Sequence, residues 1–234
     1  METIDTNTTF DSPLFHALAR DAVGRCDGKG DFEAITAVIM SCTAFEAFLN
    51  ELAQFAITED TQHSDSMIHE LAVSQRIAIE CKAPTLDRYD YAWEIMHKTQ
   101  LDKGSGCRQK LTTLFALRNS LVHAKAEKTS IVIDLTAQPP AGLDEAGWLG
   151  QIRELYDLPK FVKALQSDGH VNHEPQDERW VTRICDRRVA VWAFDLVAEA
   201  AAELIQPSKV DAAFYKRLIE LSLAGYETRK SKHA

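Results

Sequence analysis

Apolar residues recur along most of this chain at intervals of three and four, the spacing of one face of an α-helix. Leu14, Phe15, Leu18, Ala22 and Val23 mark a first helix over residues 10–26. Asp27-Gly28-Lys29-Gly30 closes it, and Asp31 is placed to cap a long second helix over 31–57. Periodic stretches predict further helices over 64–81, closed by Pro84, and over 86–98, with Tyr89, Trp93 and Met96 on one side. Another helix is predicted over 107–124, and Lys103-Gly104-Ser105-Gly106 is the loop before it.

The pattern then changes. Residues 129–136 read TSIVIDLT, rich in β-branched residues, and predict a short strand. Gln138-Pro139-Pro140-Ala141-Gly142 is a loop. Short helices are expected over 143–156 and 159–167, then a polar loop over 167–175. A long helix over 177–205 ends at Pro207, and a last one covers 208–225. Residues 1–12 read as a flexible tail and 227–234 as a basic, fraying end. The fold class is all-α: one domain over 13–226, an up-and-down helical bundle with extra helices and a short β insertion. Its core helices are 31–57, 64–81, 107–124 and 177–205.

The chain has 234 residues, 45% hydrophobic and 26% charged, enough to bury a core without disulfides or metals. The five cysteines, Cys26, Cys42, Cys81, Cys107 and Cys185, never stand at C-x-x-C spacing. That excludes a disulfide framework and a zinc knuckle, and makes them small buried residues in a reducing compartment. No stretch of about 18 apolar residues free of charge is present, so no membrane span is expected. The start, METIDTNTTFDSP, lacks the basic and apolar regions of a secretory signal, so the expected location is cytoplasmic. The formal charge of −9 excludes a globally basic nucleic-acid binder, so any RNA contact has to come from a local patch.

Two charges interrupt the apolar stripes. On a helical wheel of the second helix, Ile35, Ile39, Cys42, Leu49, Ala53 and Ile57 fall within about 60° of Glu46, while Glu33 and Glu51 lie on the far side. On the helix over 107–124, Leu111, Leu114, Phe115, Leu121 and Val122 surround Arg118. Buried charges need partners. The expectation is that the two helices pack together with Glu46 on Arg118. Were that pair buried, Glu46→Ala would cost about 3–5 kcal/mol. The plainer reading is a structural ion pair without further role.

Around the arginine the sequence is Leu117-Arg118-Asn119-Ser120-Leu121-Val122-His123-Ala124. Arg118, Asn119 and His123, near the end of a helix in a helical protein, resemble the signature of the HEPN superfamily: an arginine, then a polar residue, then a histidine after four to six intervening residues. An acidic residue facing the arginine from an earlier helix, here Glu46, fits the same pattern. The resemblance covers residues 31–125 and the long helix after 177. It implies a four-helix core, often dimerised so that two motifs face one cleft. It also implies ribonuclease activity without a metal or cofactor, in toxin–antitoxin pairs or phage defence. Other members have lost activity or only bind nucleotides or RNA. Some HEPN toxins carry a tyrosine two residues after the histidine, which a partner nucleotidyltransferase modifies. Here Lys125 stands there, and that regulation is not expected.

The residue types suit the chemistry. RNA cleaves itself when its 2′-hydroxyl attacks the adjacent phosphate, given proton transfer and stabilisation of charge on phosphorus. His123 can move a proton near neutral pH. Arg118 can place fixed donors on phosphoryl oxygens, Asn119 can orient the phosphate or the imidazole, and Ser120 is a supporting neighbour. Arg118 and His123 lie about 140° apart on an ideal helix, so a homodimer or a distorted helix end has to bring the groups together. A histidine near a helix end can also simply meet terminal carbonyls. Arg179, Arg183 and Arg187, with Arg188 beside them, recur on one helix near Trp180. They read either as a solvated face or as phosphate contacts with a stacking tryptophan. Lys125 joins them as a candidate RNA contact. His170 and His173, in a polar loop without further ligands, are not read as a metal site. The expected partners are RNA, a second copy of the chain, and an antitoxin or other defence-system protein. The competing reading is a catalytically silent HEPN-like module that binds RNA, a nucleotide or a protein.

Overall fold

The computed structural model describes residues 11–60, 66–104, 106–123, 129–131, 154–156, 158–172 and 179–205. These residues are mostly helical. The helices are α1 (Ser12–Arg25), α2 (Glu33–Asp60), α3 (Ser66–Glu80), α4 (Thr85–His97) and α5 (Gly106–Val122), then α6 (Lys160–Ser167), α7 (Trp180–Ile184) and α8 (Arg187–Ile205). Between α5 and α6, β1 (Thr129–Ile131) pairs antiparallel with β2 (Glu154–Tyr156). β2 stands at the end of the span 143–156 where periodicity predicts a helix. The predicted helix over 208–225, residues 1–10 of the first tail, the basic tail 227–234, Lys125 and His173 lie outside the described residues; Asp11 and Ser12, read as the end of a flexible tail, are instead bonded to Glu51, and Ser12 begins α1.

α2 is the axis of the bundle, packing against α1, α3, α4, α5 and α8. A helix covered on several sides has no single apolar stripe, and this overturns one inference from the wheel. Glu51, assigned to the far side, is buried, whereas Glu46 is only half-buried. Glu51 faces the start of α1, where its carboxylate accepts the backbone N–H groups of Asp11 and Ser12 and the Ser12 hydroxyl. Helix starts leave N–H groups without partners, and an anion there is favourable. Burial still pushes the Glu51 carboxyl above its ordinary range, with the Ser12 and Asp11 bonds opposing.

The capping expectations hold in detail at α2. Asp31 accepts the N–H groups of Glu33 and Asp27, each at 2.9 Å, and these backbone bonds hold its carboxyl below its ordinary value. Gly28 and Gly30, with φ of 148° and 84°, make the turn between α1 and α2. The Gly30 N–H donates to the Cys185 carbonyl, tying this turn to the α7–α8 junction. That junction corrects the predicted continuous helix over 177–205. The backbone bends at Cys185-Asp186, and Asp186 caps α8 by accepting the Arg188 N–H at 2.8 Å.

Large side chains fill the centre, among them Phe45, Leu49, Leu71, Tyr89, Leu114 and Leu165. Ala22, Cys26, Ala34, Ala37 and Ala190 let α1, α2 and α8 approach closely. The five cysteines are free; Cys26, Cys42 and Cys185 are buried as expected, Cys107 is half-buried and Cys81 is exposed. Residues Glu33–Thr58 of α2 are long and apolar enough to cross a bilayer by length and composition. The place of α2 at the centre of the bundle accounts for the same apolar content.

Candidate functional site

α5 is held at both ends. Near its end, Arg118 Nη2 donates to Glu46 Oε2 of α2 at 3.3 Å, the contact expected from the wheels. The burial expected with it is absent. The side chains are 25% and 30% exposed for Arg118 and Glu46, so the pair lies at the rim of the bundle. Arg118 Nη1 donates to Asn119 Oδ1 at 3.0 Å. Two of five guanidinium donors are thus used, and each terminal nitrogen keeps a second N–H. Arg118 Nε is buried and lacks a hydrogen-bond partner.

Glu46 has neighbours that periodicity did not reveal. Thr85, at the start of α4, donates its hydroxyl to Glu46 Oε1 at 3.2 Å. Arg88, one turn on, is buried and bound only by neutral acceptors: Asn50 Oδ1 at 2.7 Å, the Leu49 carbonyl at 3.2 Å and Gln75 Oε1 at 3.4 Å. Burial lowers its proton affinity, and the charge of Glu46 opposes that. The carboxylate therefore stands between an exposed-edge guanidinium and a buried one. Cys42 lies under the pair, and burial pushes its thiol far above the ordinary range, so it is no nucleophile here.

His123 is exposed and follows the last residue of α5, and its N–H still donates to the Asn119 carbonyl at 2.9 Å. The helical bond pattern thus runs through the motif, and Arg118 and His123 keep the angular separation of a regular helix. Asn119 is exposed and Ser120 half-buried. A cleft of about 420 Å³ adjoins Glu46, lined by Asp11, Thr43, Asn50 and Glu51 among others. Its three carboxylates make it a poor seat for phosphate, which leaves the outer edge of the Arg118 guanidinium as the anion-facing part.

The second candidate surface does not survive as one stripe. Trp180 is buried with its edge against Phe161, ring centroids 5.2 Å apart, and cannot stack a base. Arg183 is also buried, while Arg179 and Arg187 are exposed. The bend at Cys185-Asp186 is the reason: it breaks the common helical phase that placed these residues on one face.

The buried ion pair is elsewhere. At the start of α5, Arg108 grips Asp90 of α4 with two bonds, Nε to Oδ1 at 2.6 Å and Nη2 to Oδ2 at 3.0 Å. Its Nη1 donates to Thr112 at 2.6 Å. Both partners are buried. The wheel test applied to Arg118 would have found Arg108, which leads Leu111 and Phe115 by three and seven residues. Arg88 likewise precedes Ala92 and Met96 at four and eight. Among the described residues no group of three His, Cys, Asp or Glu could hold a metal ion. Comparison with family models, with curated proteins and with solved structures finds no match for this chain.

Proposed function

We propose that this chain is a HEPN-type endoribonuclease acting without a metal, as a toxin or phage-defence effector. Its core would be the four-helix HEPN bundle, with the β1–β2 pair as an insertion after the motif. The observation that carries this reading is the Arg118 guanidinium, fixed by Glu46 and Asn119 and left with N–H donors at the rim of the bundle. Such a group meets the charge that builds on phosphoryl oxygens without reorganising. In the reaction the 2′-oxygen forms a bond to phosphorus and the P–O5′ bond breaks. One proton leaves the 2′-hydroxyl and one reaches O5′. His123 moves one of these protons, and in a homodimer the partner copy's motif supplies the second group. Dimerisation also answers the angular separation of Arg118 and His123. The buried positions of Trp180 and Arg183 favour a second reading, a silent module with a small RNA footprint, since they remove two of the proposed RNA contacts.

The test is RNA incubated with purified protein in excess chelator. Cleavage is expected, with 2′,3′-cyclic phosphate ends, and a 2′-deoxy substitution at the scissile position should block it. His123→Ala should abolish cleavage while keeping the melting temperature, because the side chain is exposed. Full activity in folded His123→Ala would falsify the mechanism, and an inert wild type on varied RNAs would leave the silent module. Light scattering should give a dimer at micromolar concentration; a monomer would remove the two-motif cleft.

A further inference from the structure

A second cavity opens where α8 begins. It holds about 440 Å³ and is lined from α5, from the turn after α6 and from the first turns of α8. One end is rich in donors. Arg187 and Arg188 stand at the start of α8, His170 faces them from the turn after α6, and Lys110 reaches in from α5. Arg188 is held rigidly: it donates to Asp186 at 2.9 Å and 3.1 Å, to Asn172 at 3.0 Å and to the Gly169 carbonyl at 3.4 Å. That leaves one of its five N–H groups unused. Trp192 also lines the cavity, 5.6 Å from the His170 ring; it is 7% exposed, and its indole Nε1 is buried without a hydrogen-bond partner.

Three cations, Lys110, Arg187 and Arg188, stand at this end against the Asp186 carboxylate that caps α8. Burial lowers the proton affinity of His170, and Lys110 and Arg188 lower it further, against Asp168. The start of a 19-residue helix adds the positive end of its dipole. The other end is of opposite character. Asp195 and Glu199, two and three turns along α8, place exposed carboxylates on the same cavity. A simple anion would be attracted by one end and repelled by the other.

We propose that this cavity binds a small phosphate monoester carrying a cationic or hydrogen-bond-donating group a few bonds from the phosphate. The phosphate sits among Lys110, Arg187 and the spare donors of Arg188 and Trp192. The donor group faces Asp195 and Glu199. The site is separate from Arg118, although Lys110 lies two turns before it, about 12 Å along the same helix. It does not depend on the ribonuclease reading, because binding is measured without RNA.

The experiment titrates the full-length protein with phosphoethanolamine and with methyl phosphate, at constant ionic strength set by chloride. The Trp192 indole N–H, assigned through Trp192→Phe, and the His170 ring are followed by NMR. Saturable shifts are expected, with His170 titrating at higher pH in the bound state. Phosphoethanolamine should bind about tenfold tighter than methyl phosphate, because only it pairs with both ends. Lys110→Ala with Arg187→Ala should weaken both ligands by about tenfold or more. Both residues are exposed, so this variant should keep its melting temperature. Asp195→Asn with Glu199→Gln should erase the preference for the amine. Arg118→Ala should leave both affinities as they are in the wild type. Equal affinity for the two ligands, a shift that chloride reproduces, or loss of the shift in Arg118→Ala would each overturn the proposal.

Discussion

Two arginines fasten α5, and they do so in opposite ways. Arg108 is buried and makes a two-bonded grip on a buried aspartate, with Thr112 taking a third donor. Arg118 touches Glu46 through one 3.3 Å bond at the rim and keeps donors unused. A guanidinium whose donors are satisfied inside the protein has little left for a ligand. One that is oriented yet incompletely bound can receive a phosphate without first breaking a bond inside the protein. The Asp90–Arg108 pair thus has the geometry of a folding contact, and the Glu46–Arg118 pair that of the site proposed above. Sequence position gives no hint of this, since both arginines lie in apolar patterns ten residues apart on one helix.

Each half of that contrast can be broken. The largest effect is expected at Asp90→Ala, which strands Arg108 in the core. It should cost about 3–5 kcal/mol in denaturant unfolding, while any RNA cleavage per folded molecule stays near that of the wild type. A loss well under that range would show Arg108 reaching water in its partner's absence.

Next comes Arg118→Ala. Cleavage should fall by about 10²–10³, the range for losing a donor to a developing oxyanion, with little change in melting temperature. A large stability loss with cleavage intact would reverse the assignment of the two pairs.

Glu46→Ala should cost only about 1 kcal/mol, because a rim pair is screened by water. This replaces the 3–5 kcal/mol that a fully buried pair would imply. Its sharper effect is on turnover, since Arg118 loses its anchor. The double variant with Arg118→Ala should show activity losses that do not add.

The smallest effect extends the comparison to a polar group with no partner. His16 stacks on Phe194, centroids 4.3 Å apart, and its Nε2 is buried and unbonded. Burial, and then the charge of Arg20, lower its proton affinity below the ordinary histidine value. A depressed folded pKa means that the protein binds this proton less readily than the unfolded chain does. The stability tied to neutral His16 is complete above about pH 6.5 and is lost as pH falls through the lower folded value. His16→Phe should flatten the dependence of melting temperature on pH in that window; an unchanged slope would place the titrating group elsewhere.

Local signals determined a good part of this molecule. Apolar spacing placed the helices, Asp31 marked the start of α2, and Gly28 and Gly30 marked the turn before it, because caps and turns depend on a few neighbouring atoms. Opposite charges inside two apolar stripes were enough to pair Glu46 with Arg118. What those charges do was decided by tertiary packing. How deeply Glu46 lies, why Glu51 is buried instead, and which of Arg108 and Arg118 keeps free donors all depend on how many helices surround α2 and where its neighbours end. A wheel describes one helix against one partner. In a bundle whose central helix is covered from several sides, burial is set by neighbours distant in sequence. For the same reason Asp186 could end one helix and begin another within a pattern that read as continuous, burying Trp180 and Arg183 on the way.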